Sequence, residues 1–109
     1  MTTSPSWLVT ACPKWCAANH RDDDLPDDRL HFSAWLRPVP LAHAPRVGPH
    51  RRVLMVYVEQ HVDEDSPRVV LTEEHGGQQE LRLTAEEACQ LGAALLHGRT
   101  IVSEDIRTP

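Results

Sequence analysis

Cys12, Cys16 and His20 recur at a spacing of four residues, and His31 follows across a short connection. Thiolates and imidazoles are the ligands zinc takes in tetrahedral sites, and paired ligands usually stand two to five residues apart. The block Cys12-Pro13-Lys14-Trp15-Cys16-Ala17-Ala18-Asn19-His20 is the one stretch where residues able to do chemistry converge. It reads as a zinc site with Cys12, Cys16, His20 and His31 as ligands. Four protein ligands make a closed, structural zinc, whereas a catalytic zinc typically has three and keeps a position for water. His31 therefore decides the reading. Without it, Cys12, Cys16, His20 and a water would form a hydrolase-like centre, although no glutamate stands close in sequence to serve as its base.

The spacing also constrains the backbone. A helix over about Pro13 to Asn19 is expected, with Pro13 in its first turn and Asn19 as its stop. In one uninterrupted helix Cys12 and His20 would lie roughly 12 Å apart along the axis. That is too far to share an ion, so a break near Pro13 or Asn19 is part of the expectation. Two rival readings carry less weight. Cys12 and Cys16 as inert buried thiols would leave the histidines unexplained. A redox disulfide between them lacks the Cys-x-x-Cys spacing. Cys89 reads as a packed core thiol, and His43, His50, His61 and His75 as surface histidines. The five aspartates between Arg21 and Arg29 read as a solvated loop, because the glycine and distal glutamate of a calcium-binding EF-hand loop are missing.

The elements that must position the site fit one domain. The chain has 109 residues, 40% of them hydrophobic and 25% charged. Residues 1–6 read as a disordered tail, 7–37 as the metal-binding segment and 52–98 as sheet and helix. Trp7 to Thr10 is a short strand or a lead into the motif, and His31 to Leu36 is a strand. Pro38 to Pro49 is punctuated by proline and cannot be a central strand. Val53 to Val58 is apolar on both alternating faces, the mark of a strand covered on both sides. Arg68 to Thr72 is the next strand, and Gly76-Gly77 turns it back onto Glu80 to Leu83. Thr84 and Glu87 form a capping box that opens a helix running to about His97, with Gly98 as its stop. Ala88, Leu91, Gly92, Leu95 and Leu96 share its apolar face. Thr100 to Ser103 reads as a last short strand or an ordered tail.

The fold class is thus α+β: an antiparallel meander of three to four strands, one C-terminal helix and an N-terminal zinc-stapled segment. One helix covers one face of the sheet. The other face needs a cover, for which the candidates are the Cys12 segment with Trp7, Trp15 and Trp35, or a second copy of the chain.

A net charge of −5 disfavours nucleic-acid binding, which requires phosphate neutralisation. The small basic patch of Arg46, His50, Arg51 and Arg52 is the only region that would support it. The sequence has no signal-peptide pattern and no apolar run of membrane-spanning length. A cytoplasmic protein is expected, with a protein partner or a homodimer as the natural mode of action.

With Cys12-Pro-x-Trp-Cys16-x3-His20, then His31, a valine-rich strand and Leu83-Thr84-x-x-Glu87-Ala88 opening a helix, the chain resembles a family of small actinobacterial proteins known only as a domain of unknown function. The resemblance covers roughly residues 7 to 97. It implies the same element order and a joint role for Cys12, Cys16, His20 and His31. It also leads to a second histidine after His31, where this sequence has Phe32. It implies no activity.

Overall fold

Six consecutive apolar residues, Val53 to Val58, make the strand at the centre of the sheet, on which three of the other four strands pair. In the computed structural model, which describes residues 5–42, 52–74 and 80–107 (backbone only for the last three), this strand is β3, Val53–His61. Before it come β1, Leu30–Phe32, and β2, Val39–Pro40. After it come β4, Arg68–Glu73, and β5, Leu81–Leu83. All pairs are antiparallel, in the order β1-β3-β4-β5, with β2 sharing the β1 edge of β3. The helix α1, Ala85–Arg107, closes the chain. The expected α+β meander is what the chain forms.

The proline-punctuated segment touches the sheet where a missing N–H is harmless. Pro40 lies opposite Val53 at an edge, and Leu41 N–H donates to Arg52 O at 2.9 Å. The strand expected over His31 to Leu36 stops at Phe32. Ser33 N–H donates to Val58 O and Leu36 N–H to Val56 O, both at 2.8 Å. Three residue steps here span two on β3, so the chain bulges. Ser33 Oγ fills the gap, accepting Val58 N–H and donating to Ala34 O. Trp7 to Thr10 is not a strand. Leu8 N–H turns back to Pro5 O, Pro5 is buried and Ser6 N–H donates to Asp22, so the expected tail is held at least from Pro5. Residues 1–4 and the Gly76-Gly77 turn lie outside the described residues.

Alternate residues of a strand face opposite sides of the sheet. Leu54 and Val56 face α1, whose Ala88, Leu91 and Leu95 sit over them. Met55, Tyr57 and Glu59 face the other way. Met55 and Val70 are the buried hydrophobic residues among those described. The edge of the Trp35–Tyr57 ring pair meets on this second face, while Trp7 and Trp15 turn to His20 and His31 instead. Of the three tryptophans named as a possible cover for this face, Trp35 alone lies on it.

The helix begins as its capping box requires. Glu87 N–H donates to Thr84 Oγ1 at 3.1 Å and Thr84 N–H to Glu87 Oε1 at 2.8 Å. It does not stop at Gly98 but continues to Arg107, so the expected strand over Thr100 to Ser103 is helix. No proline follows Gly98 within the next ten residues to enforce a stop, and Thr100 Oγ1 donates back to Leu96 O across Gly98. A strand would also need a pairing edge there. The extension carries Ile101 and Val102 into solvent, each more than half exposed, as is Leu96 one turn before it.

Two expectations test this architecture. A Cβ at Gly98 would meet nothing within 4 Å. Gly98→Ala should therefore stabilise the chain by up to about 1 kcal/mol in denaturant titration. A helix ending on a left-handed Gly98 would give the opposite sign. At the β3–β4 turn, Glu64 Oε1 accepts His61 N–H at 3.0 Å and Arg82 Nη2–H at 3.1 Å. The backbone N–H of His61 leads in holding the Glu64 carboxyl below its ordinary value of 4.5, helped by Arg82. A depressed folded-state pKa stabilises above the unfolded pKa and is lost as pH falls through the folded one. The stability gap between the parent and Glu64→Gln should be full at neutral pH and close on acidification below that range.

Candidate metal centre

The N-terminal segment meets the sheet at the free edge of β1. Ala17 N–H donates to Phe32 O at 2.7 Å there, while on the inner side the β1–β3 ladder runs one rung further, with Val62 N–H donating to Arg29 O at 3.0 Å. The first of these bonds explains why the helix expected over Pro13 to Asn19 does not form. An amide used across the edge is not available to a helical ladder. Only a turn remains, closed by Cys16 N–H donating to Pro13 O at 3.0 Å. The break anticipated near Pro13 is therefore present, and it takes the whole helix with it.

That turn folds Cys12 back beside Cys16, and β1 brings in His31. One ligand atom from each of Cys12, Cys16, His20 and His31 lies within 4.8 Å of all the others. A tetrahedral zinc with bonds of about 2.0–2.3 Å holds its ligands roughly 3.3–3.8 Å apart. The cluster is thus about an ångström wider than an occupied zinc site. Cys16 Sγ already lies 3.6 Å from His20 Nε2. The two imidazoles stand at 87° with centroids 5.1 Å apart. All four residues singled out by spacing come together, and they could bind a metal ion.

His31 is the inner wall. It is 5% exposed, and its buried Nδ1 has no hydrogen-bond partner among the described residues. Leaving a buried polar nitrogen unpaired costs on the order of 1–3 kcal/mol. Burial, then the neighbouring His20, pushes the His31 pKa down and keeps the ring neutral, the form that ligates. Burial, then the adjacent Cys16, pushes the Cys12 thiol up, so taking up a metal would release its proton. The donor set, two thiols and two imidazoles around an orphaned buried nitrogen, fits a zinc ion.

Aromatic rings enclose the histidines. Trp7 meets His20 edge-on at 5.2 Å and Trp15 meets His31 at 6.4 Å. Trp7 Nε1–H donates to Arg21 O at 2.7 Å, and the Arg29 guanidinium lies 5.6 Å from its ring centre. The aspartate loop serves as a clamp. Asp22 accepts Ser6 N–H, Asp24 accepts Arg21 N–H, and Arg29 Nε–H donates to Asp24 O. These carboxylates form no metal-sized group among the described residues.

Other expectations divide. Cys89 is exposed on α1 and is not a core thiol. His61 is half-buried rather than a surface residue. Its Nδ1 accepts Asp63 N–H at 3.1 Å, which leaves Nε2–H to donate to Pro26 O at 2.7 Å. It thereby ties β3 to the helical turn Pro26–Asp28, a role that no sequence spacing announces. His43, His50 and His75 lie outside the described residues, as do Arg46 and Arg51 of the basic patch. Arg52, its described member, is engaged by Glu73, with Nε donating to Oε2 at 2.9 Å. Among the described residues no helix is long and apolar enough to cross a membrane.

Compared with known proteins, the chain matches no curated protein and no solved structure. A family model does match, over residues 1–104, and so takes in the Cys/His cluster, the meander and most of α1. The chain belongs to the family described as Domain of unknown function (DUF6907).

Proposed function

We propose that this is a small zinc-stapled interaction protein. Cys12, Cys16, His20 and His31 hold one zinc ion with no open position, and the ion fastens the segment from Trp7 to Arg29 to the sheet edge. The observation that carries this reading is the meeting of two sulfur and two imidazole donors, one of them the buried His31, whose Nδ1 has no hydrogen-bond partner among the described residues. Soft thiolates with imidazoles in a tetrahedral set favour zinc over the hard divalent ions. With so few fully buried apolar residues among those described, the free energy of zinc binding becomes free energy of folding. The free thiols suit a reducing, cytoplasmic setting.

The exposed apolar outer half of α1, with Leu96, Ile101 and Val102, is the surface through which such a protein would act. A second copy or another protein would cover it. Binding to nucleic acid is disfavoured by the net charge of −5 and by the engagement of Arg52 with Glu73.

Metal analysis with X-ray absorption tests the centre. One zinc per chain, bound by two sulfurs and two nitrogens, is the expected result. Three protein ligands and a water oxygen would move the protein to the hydrolase-like reading. A metal-free chain as stable as the loaded one would overturn the staple. Chelation should first expose the amides of residues 12–20 to hydrogen exchange and red-shift the fluorescence of Trp7 and Trp15, while β3 and β4 remain protected longer. Cys16→Ser should produce the same local loosening without chelator.

A further inference from the structure

On the sheet face opposite α1 lies a half-open cleft of about 360 Å³, lined among others by Phe32, Trp35, Tyr57 and Glu59. It is separate from the Cys/His cluster. His31, between Leu30 and Phe32 on β1, points to the other face.

Three aromatic rings wall this cleft. Phe32 is 41% exposed and Trp35 56%, high values for side chains of their size. Trp35 and Tyr57 meet at 85° with ring centroids 5.0 Å apart, so the two planes form a corner. Glu59 pairs in register with Phe32 and brings a carboxylate to the same wall. Its side chain is only 17% exposed, yet its ion pair with Arg82 Nη2 is long, at 3.5 Å. Arg82 lies closer to Glu64, at 3.1 Å. One guanidinium thus serves two carboxylates, and the better contact is not the one with Glu59. Arg68 stands opposite Glu59 on β4 but turns its Nη1 to Ser66 and Pro67. Among the described residues this mostly buried carboxylate thus has one long ion pair, and such a group seeks a further cation. Aromatic ring faces attract the same kind of group.

We propose that this cleft binds a small organic ammonium ion, with its alkyl groups against Phe32, Trp35 and Tyr57 and its charge facing Glu59. The volume lies at the lower end of the range for small-molecule sites. Perpendicular walls suit a compact, rounded head. A flat guanidinium would stack better between parallel planes. An anion would meet the Glu59 carboxylate, and a purely apolar occupant would leave that carboxylate buried without a better partner.

Choline is the probe, with its uncharged tert-butyl analogue as the control. Both are titrated into the isotopically labelled full chain and followed by NMR at the Trp35 indole N–H and the Phe32 and Ser33 amides. Saturable shifts with choline in the millimolar range are expected, with the neutral analogue at least about tenfold weaker. Glu59→Gln should weaken choline by about the same factor and leave the neutral analogue unchanged. Trp35→Leu keeps apolar bulk and removes a ring face. It should weaken choline alone, and it decides the matter if Glu59→Gln disturbs the Arg82 contacts and the fold. No saturable shift with choline, equal response to both probes, or undiminished choline binding in correctly folded Trp35→Leu would overturn the proposal.

Discussion

The backbone bond from Ala17 N–H to Phe32 O is the contact on which the rest of the arrangement depends. β1 is an edge strand, and an unpaired edge is both a stability cost and an aggregation hazard. Pairing Ala17 there protects the edge and prevents Pro13 to Asn19 from closing a helix. The same bond sets Cys16 and His20 beside the next residue inward, His31, whose side chain faces the opposite way from Phe32. One hydrogen bond therefore decides the local conformation, the edge protection and the assembly of the four candidate ligands.

The thinness of the core explains why such a contact matters. Met55 and Val70 are the buried hydrophobic residues among those described. Short chains bury a small share of their surface and commonly need a metal, a disulfide or a partner. Here the sheet is narrow and α1 rests on it mainly through its first turns. The polar clamps around it each tie two segments. Arg52 links the start of β3 to the end of β4 through Glu73, and His61 links β3 to the turn at Pro26. Ser33 closes the bulge between β1 and β2.

Elements whose reasons are local could be read in the sequence. The unbroken apolar run of β3, the alternation of β5 and the Thr84–Glu87 box each carry their own signal over a few residues, and each forms where expected. Elements whose fate depends on a distant partner could not. Pro13 to Asn19 has a plausible helical pattern, and it loses to an acceptor on Phe32 that no local window contains. Gly98 resembles a stop, yet no proline stands within the next ten residues to make it one. The convergence of Cys12, Cys16, His20 and His31 could be read because coordination chemistry restricts the residue types and spacings of a candidate site. The Trp7 and Trp15 packing around the histidines was not, since tryptophan beside a ligand looks the same as tryptophan in a core.

The sheet therefore separates two chemistries. On the α1 side, His31 turns toward soft, neutral donors whose shared preference is a metal ion. On the other side, Phe32 and Glu59 turn toward a cleft with aromatic faces and a carboxylate. Because adjacent residues of one three-residue strand serve both, a change in how tightly the N-terminal segment grips the edge reaches both faces. Loss of the Ala17 to Phe32 bond would free β1 on its outer side. It would also remove Ala17 from the rim of the aromatic cleft, which this residue helps to line. The Cys/His cluster and the aromatic cleft thus meet at the backbone of β1, whose His31 and Phe32 face them from opposite sides.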